Sequence, residues 1–262
     1  MRSPVKPKKF LGQHFLKDLD IARRIAETVD EYNGMPILEI GPGTGVLTQF
    51  LLEAKHDLTV VELDRESVAY LKENFPALDG RIIEDDFLKI ALDKIFPERF
   101  CVIGNYPYNI SSQIFFRVLD YKDHIPCCSG MIQKEVAERM ASAPGSKAYG
   151  ILSVLMQAWY DIEYLFTVPE HVFEPPPKVK SAVIRMRRNA VTDLGCDERL
   201  FKTVVKTSFN QRRKTLRNSL RSLLGKECPL LEDKIFDKRP EQLSVEQFIA
   251  LTREIENHIS AK

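Results

Sequence analysis

The stretch Glu39-Ile40-Gly41-Pro42-Gly43-Thr44-Gly45 decides the fold. It follows an apolar run, Ile37–Ile40, that reads as a buried strand, and it opens a segment from Val46 to about Ala54 that reads as a helix. Glycines between a strand and a helix permit a tight turn and let the backbone come close to a ligand. A pyrophosphate-binding fingerprint would need its third glycine at position 46, which is Val46. The spacing is therefore G-x-G-x-G, and a nicotinamide dinucleotide is disfavoured.

Outward from this loop, strands alternate with helices. Leu58–Leu63, Arg81–Glu84, Phe100–Gly104 and Ser129–Gln133 read as strands, and Arg65–Asn74, Ser111–Leu119, Lys134–Ala141 and Tyr149–Ala158 as helices. Upstream, Asp18 caps a helix running to Glu31. This alternation predicts an α/β fold with a parallel sheet covered on both faces, in which ligands bind beyond the carboxyl ends of the strands. After Pro175-Pro176-Pro177, Val179–Met186 reads as a late strand. From about Asn189 only helices follow, near 199–209, 214–224 and 244–258. The expected division is residues 1–190 and a small all-helical part, 191–262.

The 262 residues are 44% hydrophobic and 29% charged, the profile of a folded globular chain rather than a disordered one. The most apolar stretch, Ile151–Trp159, is far below the roughly 18 residues of a membrane span. The N-terminal residues Arg2, Lys6, Lys8 and Lys9 are basic without a following apolar core, unlike a secretory signal. Cys101, Cys127, Cys128, Cys196 and Cys228 form no C-x-x-C, so free thiols in a reducing cytoplasm are expected, and no metal site.

Two further strand ends carry acids. Glu62 can accept hydrogen bonds from ribose hydroxyls, and in Asp86-Phe87 a carboxylate can accept from an adenine amine while the ring packs on the base. The fourth strand ends in Asn105-Tyr106-Pro107-Tyr108. An aromatic amine attacks a methyl group only when its lone pair is freed from the ring. The Asn105 amide oxygen and a neighbouring main-chain carbonyl can accept its two hydrogens and favour a tetrahedral nitrogen. Tyr108 offers a stacking face for an extruded base, and Pro107 stiffens the turn.

The glycine loop resembles the first motif of S-adenosylmethionine-dependent methyltransferases. The chain as a whole resembles the small-subunit ribosomal RNA adenine N6,N6-dimethyltransferase family, relatives of the erythromycin-resistance rRNA methyltransferases. The matching stretches are Lys9–Leu16, Glu39–Gly45, Val61–Asp64, Asp86-Phe87, Gly104–Ser112, Pro175–Ser181 and Phe209–Leu216. The resemblance implies a Rossmann-like catalytic domain and a helical C-terminal domain. It implies cofactor contacts at His14, Leu16, Gly41, Glu62, Asp86 and Asn105, to which the loop reading adds Gly43, Gly45 and Phe87. The implied substrate is a pair of adjacent adenosines in a hairpin loop near the 3′ end of small-subunit rRNA, met by a monomer during ribosome assembly. His14 stands where the family usually has Asn, Tyr106 replaces the commoner Leu as a second aromatic beside the target pocket, and Lys180 is more basic than usual.

Although the net charge is only +1, Arg199–Lys226 contains no acid. Arg212, Arg213, Lys214, Arg217 and Arg221 in it are candidate RNA contacts. Lys178, Lys180, Arg185, Arg187 and Arg188 are candidates to extend that surface. Two other readings stay open: a large-subunit rRNA methyltransferase of the drug-resistance type, and a non-catalytic binding protein on the same fold. The first is disfavoured by the Phe10–Leu16 and Pro175–Ser181 matches together, the second by intact Gly41–Gly45 and Asn105–Tyr108.

Overall fold

The structure, a computed structural model, describes Val5, Pro7, Lys8 and residues 11–261. Arg2, Lys6, Lys9 and Phe10 lie outside the described residues. The chain divides into two compact units, one of Met1–Ala137 with Asp161–Arg188, the other of Glu138–Tyr160 with Asn189–Lys262. The chain-order division at 190 therefore differs from the packing in one respect, since Glu138–Tyr160 packs with the C-terminal helices. Apolar side chains explain this: Tyr149 meets Phe209 edge-on at 6.3 Å, and both are buried.

In the first unit the strands are β1 (Phe15–Leu16), β2 (Ile37–Ile40), β3 (Leu58–Glu62), β4 (Ile82–Glu84), β5 (Cys101–Asn105), β6 (Cys127–Gln133), β7 (Tyr160–Val168), β8 (Phe173–Glu174) and β9 (Ser181–Arg188). Among the described residues, seven of them form one sheet in the order β4-β3-β2-β5-β6-β9-β7, and β1 pairs with β8 apart from it. β4, β3, β2, β5 and β6 are parallel, whereas β9 runs antiparallel to β6. The expected parallel sheet is thus present, with β9 as an antiparallel addition. The four residues of β2 are all buried, as befits a central strand.

From β2 the chain steps outward to β3 and β4, then returns to the other side of β2 for β5 and β6. The switch point of strand order thus lies between β2 and β5, where open α/β sheets bind ligands. Register makes this concrete. Ile40 is level with Val61 on one side and Gly104 on the other, so the glycine loop, Glu62 and Asn105 leave the sheet side by side.

Asp18 caps the helix Leu19–Ala26 by accepting the Ile21 N–H at 3.0 Å. In the second unit Asp197 caps Glu198–Asn210 and Ser244 caps Val245–Ser260. Their inner faces meet at Phe209 and Phe248, 5.9 Å apart. The helix expected over 214–224 is instead two single turns, Leu216–Ser219 and Arg221–Leu224. Asn218 and Ser219 are poor helix formers, and Ser219 Oγ bonds back to the Leu216 carbonyl at 3.4 Å. Cys101, Cys127, Cys128 and Cys228 are buried thiols, and Cys196 is partly accessible. No helix among the described residues is long and apolar enough to cross a membrane.

Candidate active site

A single pocket in the first unit gathers the strand-end motifs. Its wall includes Leu11–Leu16, Glu39–Thr44, Val61–Leu63, Asp85–Phe87 and Asn105–Tyr108. Thus His14, Leu16, Gly41, Gly43, Glu62, Asp86, Phe87, Asn105, Pro107 and Tyr108 come together. Gly45 does not line the pocket. At φ +76° its bare Cα faces the Phe75 ring, where a side chain would collide, so its role is to seat Phe75 behind the loop. Gly41 is different: at φ +64°, nothing stands within 4 Å of where a Cβ would be.

Glu62 is buried, and burial raises its pKa, opposed by backbone hydrogen bonds. Oε2 accepts the Gly43 N–H at 3.0 Å and Oε1 the Asp64 N–H at 2.8 Å. Each oxygen keeps a second lone pair for a ligand. Asp86 Oδ1 accepts the Leu88 N–H at 3.0 Å, and Oδ2 meets Lys89 Nζ at 3.2 Å.

Asn105 Nδ2 donates to the His14 carbonyl at 3.1 Å. A carbonyl can only accept, so this bond fixes which way the carboxamide is turned and leaves Oδ1 as an acceptor. His14 contributes through its backbone in this contact. Its ring Nδ1 meets the Pro175 carbonyl at 2.8 Å and so carries the hydrogen, while the ring stacks on Tyr108 at 5.3 Å. The Tyr108 phenol is hydrogen-bonded to the Ser181 hydroxyl at the start of β9.

Tyr106 borders the pocket only from within the core. It is 1% exposed, its hydroxyl donates to the Ser129 carbonyl at 2.6 Å, and its ring packs on Phe115. Gly130 leaves room for that ring. The expected second target-side aromatic is therefore a pin between strands.

Four further residues, not assigned a role from sequence, support the site. Glu39, 1% exposed, accepts from Thr48 Oγ1 at 2.7 Å, and its pKa is pushed up to about 8 by burial. An acid at the end of an apolar strand was the available signal. Gln13 and Lys8 meet Asp64, and with the Ser67 hydroxyl and the Glu66 N–H they outweigh burial and hold the Asp64 carboxyl below its usual range. Ser181 ends one of the stretches matched by the resemblance, but its bond to Tyr108, 73 positions away, leaves no mark in local spacing.

In the second unit Arg213, Lys214 and Arg221 are exposed and form no ion pair among the described residues. Arg212 donates to the Ser146 carbonyl at 3.3 Å and Arg217 pairs with Asp237 at 2.6 Å. Arg185 and Arg187 are likewise committed, to Glu163 and Glu31. No group of three or more metal-ligating side chains occurs among the described residues.

The family model for ribosomal RNA adenine dimethylase matches residues 5–257. The chain belongs to that family. A relative from Parabacteroides distasonis, named ribosomal RNA small subunit methyltransferase A, is 74% identical over 97% of this chain and 96% of its own. A protein of the same name from Flavobacterium johnsoniae is 59% identical over 96% of this chain and 97% of its own. The 23S rRNA methyltransferase ErmE shares the fold with TM-score 0.66 and 25% identity, covering 91% of this chain and 99% of that one. A dimethyladenosine transferase from Plasmodium falciparum superposes with TM-score 0.78 at 23% identity, over 94% and 98% of the two chains. As a member of the adenine dimethylase family, this chain has its α/β methyltransferase architecture accounted for.

Proposed function

We propose that the protein transfers methyl groups from S-adenosylmethionine to N6 of two adjacent adenosines in the 3′-terminal hairpin loop of small-subunit rRNA. The product is N6,N6-dimethyladenosine, made by a monomer in the cytoplasm, without a metal ion, on an assembling small subunit. The observation that carries this reading is the Asn105 carboxamide, turned by the His14 carbonyl so that Oδ1 is left to accept, beside Tyr108. Relatives named for the small subunit are far more similar than ErmE, which favours that substrate over large-subunit rRNA.

The pocket suits the cofactor. The open side of Gly41 admits a ligand against the backbone, and the carboxylates of Glu62 and Asp86 line the pocket with acceptor capacity for ribose hydroxyls and an adenine amine. Phe87, Leu16, His14 and Gly43 complete the wall. When bound, S-adenosylmethionine supplies an electrophilic methyl group on a sulfonium.

Asn105 Oδ1 and an adjacent main-chain carbonyl accept the two hydrogens of the target amine and favour a tetrahedral, cationic nitrogen. Tyr108 stacks on the extruded base, and Pro107 holds the turn between them. No ionised base is required, because an aryl ammonium loses its proton readily to water. After one transfer a hydrogen remains, so the amine can turn and present its lone pair again. Residues 1–190 carry this chemistry, and 191–262 bind RNA through Arg213, Lys214 and Arg221, with Arg212 and Arg217 turned partly to protein partners.

Mass spectrometry of unmethylated small-subunit rRNA treated with the protein and donor tests the reading. Two adjacent dimethyladenosines are expected. A product that stops at monomethyl under saturating donor would defeat it.

A further inference from the structure

Between β8 and β9 the chain runs Pro175-Pro176-Pro177-Lys178-Val179-Lys180. Three bonds brace this segment. The Pro175 carbonyl accepts the His14 Nδ1–H at 2.8 Å and the Lys180 carbonyl accepts the Lys134 N–H at 2.9 Å. The next residue, Ser181, holds the Tyr108 phenol. His14 and Tyr108 both line the pocket. Consecutive prolines fix φ near −65°, so the loop has little backbone freedom left to lose on binding.

Pro177 is buried, but the three residues after it face solvent. Lys178 and Lys180 are exposed and form no ion pair among the described residues, and Val179 is 46% exposed. A solvated lysine alone needs no explanation. Two lysines on a loop whose anchors are the pocket's own aromatic rings are different, because their distance from the pocket mouth is set by those anchors. Farther along β9, the guanidinium groups of Arg185 and Arg187 are already paired with acids, whereas the two loop lysines are not, among the described residues.

We propose that the Lys178–Lys180 loop grips the backbone of the target strand. The two ammonium groups take the phosphates flanking the adenosine stacked on Tyr108, and Val179 packs on the neighbouring ribose or base. Lysine suits this task as a point charge on a flexible stem, able to follow a phosphate in an irregular single-stranded loop. The inference rests on the rRNA reading above.

The test uses the Lys178→Ala/Lys180→Ala variant of the full chain, with unmethylated small ribosomal subunits and tritiated S-adenosylmethionine as probes. KM for the subunits should rise about tenfold, with kcat and donor affinity within about twofold of wild type. The slope of log Kd against log salt should flatten by about 1.4, at ~0.7 per single-strand phosphate contact. Lys178→Arg/Lys180→Arg should restore both, and Val179→Glu should raise KM further. If wild type methylates the subunits and the alanine variant keeps its KM and salt slope, the loop inference fails alone. If wild type transfers no methyl to the subunits, the functional reading fails and the inference with it.

Discussion

Each oxygen of Glu62 holds one backbone N–H, from Gly43 and from Asp64, so the side chain that faces the ligand also shapes the loop that receives it. Glu62→Ala should weaken donor binding by about 1–3 kcal/mol, the scale of losing charged acceptors, and lower stability as well. Glu62→Gln should fall between, because its NH2 group would confront one of the two donors it must satisfy. Isothermal calorimetry with donor alone separates these from wild type, and unchanged affinity in a folded variant removes Glu62 from the site. Asn105→Ala should cut turnover about 10²–10³-fold, the usual loss on deleting a positioned transition-state partner, while donor affinity changes little. Single-turnover rates check this, and near-normal turnover would exclude Asn105 from orienting the amine.

At the scale of elements, β2 and its loop are held from behind as well as in front. Gly45→Val would drive a side chain into the Phe75 ring at a left-handed φ. It should lower the free energy of unfolding, read from chemical denaturation, by about 2–4 kcal/mol, more than a surface substitution would. Glu39 adds a pH dependence. Its carboxyl titrates near 4.5 in an unfolded chain and at about 8 when buried in β2. The folded state therefore holds an extra proton between those values, and this contribution to stability is full below pH 4.5 and lost as pH rises to about 8. Glu39→Gln keeps an acceptor for Thr48 and removes the titration. Urea midpoints of the donor-free protein should fall from pH 5 to pH 8 in wild type more than in Glu39→Gln, and parallel curves would refute it.

Much of this was legible in sequence because it is local. The helix Arg65–Asn74 and strand β2 coincide with their apolar periods, and the strand-end motifs fall where register puts them. β7 escaped notice: its sequence YDIEYLFTV has mostly half-buried positions, so neither strict alternation nor a continuous apolar run marks it. The reversed direction of β9 was equally hidden, since antiparallel pairing with β6 depends on a partner some 50 residues away. Local spacing found the strand-end residues of the pocket and the family resemblance added His14 and Leu16, but neither revealed the bonds that aim them.

At the scale of the whole molecule, the basic stretch separates into committed and free charges. Arg213→Glu/Lys214→Glu/Arg221→Glu should weaken RNA binding and flatten its salt slope by about 2, at ~0.7 per phosphate. Arg217→Glu, which faces Asp237, should chiefly cost stability, by less than about 1 kcal/mol for so exposed a pair. Filter binding of small-subunit rRNA at several salt concentrations distinguishes them. An affinity indifferent to both the triple variant and salt would make the stretch a solvated face.

The distribution of thiols offers a handle on these measurements. Only Cys196 is even partly open among the five, and it belongs to the second unit. A maleimide dye should therefore label the native protein at one position and leave the strands beneath the pocket untouched. Fluorescence from that dye would report RNA arriving at the helical unit without disturbing methyl transfer. Under denaturant, the remaining four thiols become a clock, because their modification rates count how often each unit opens.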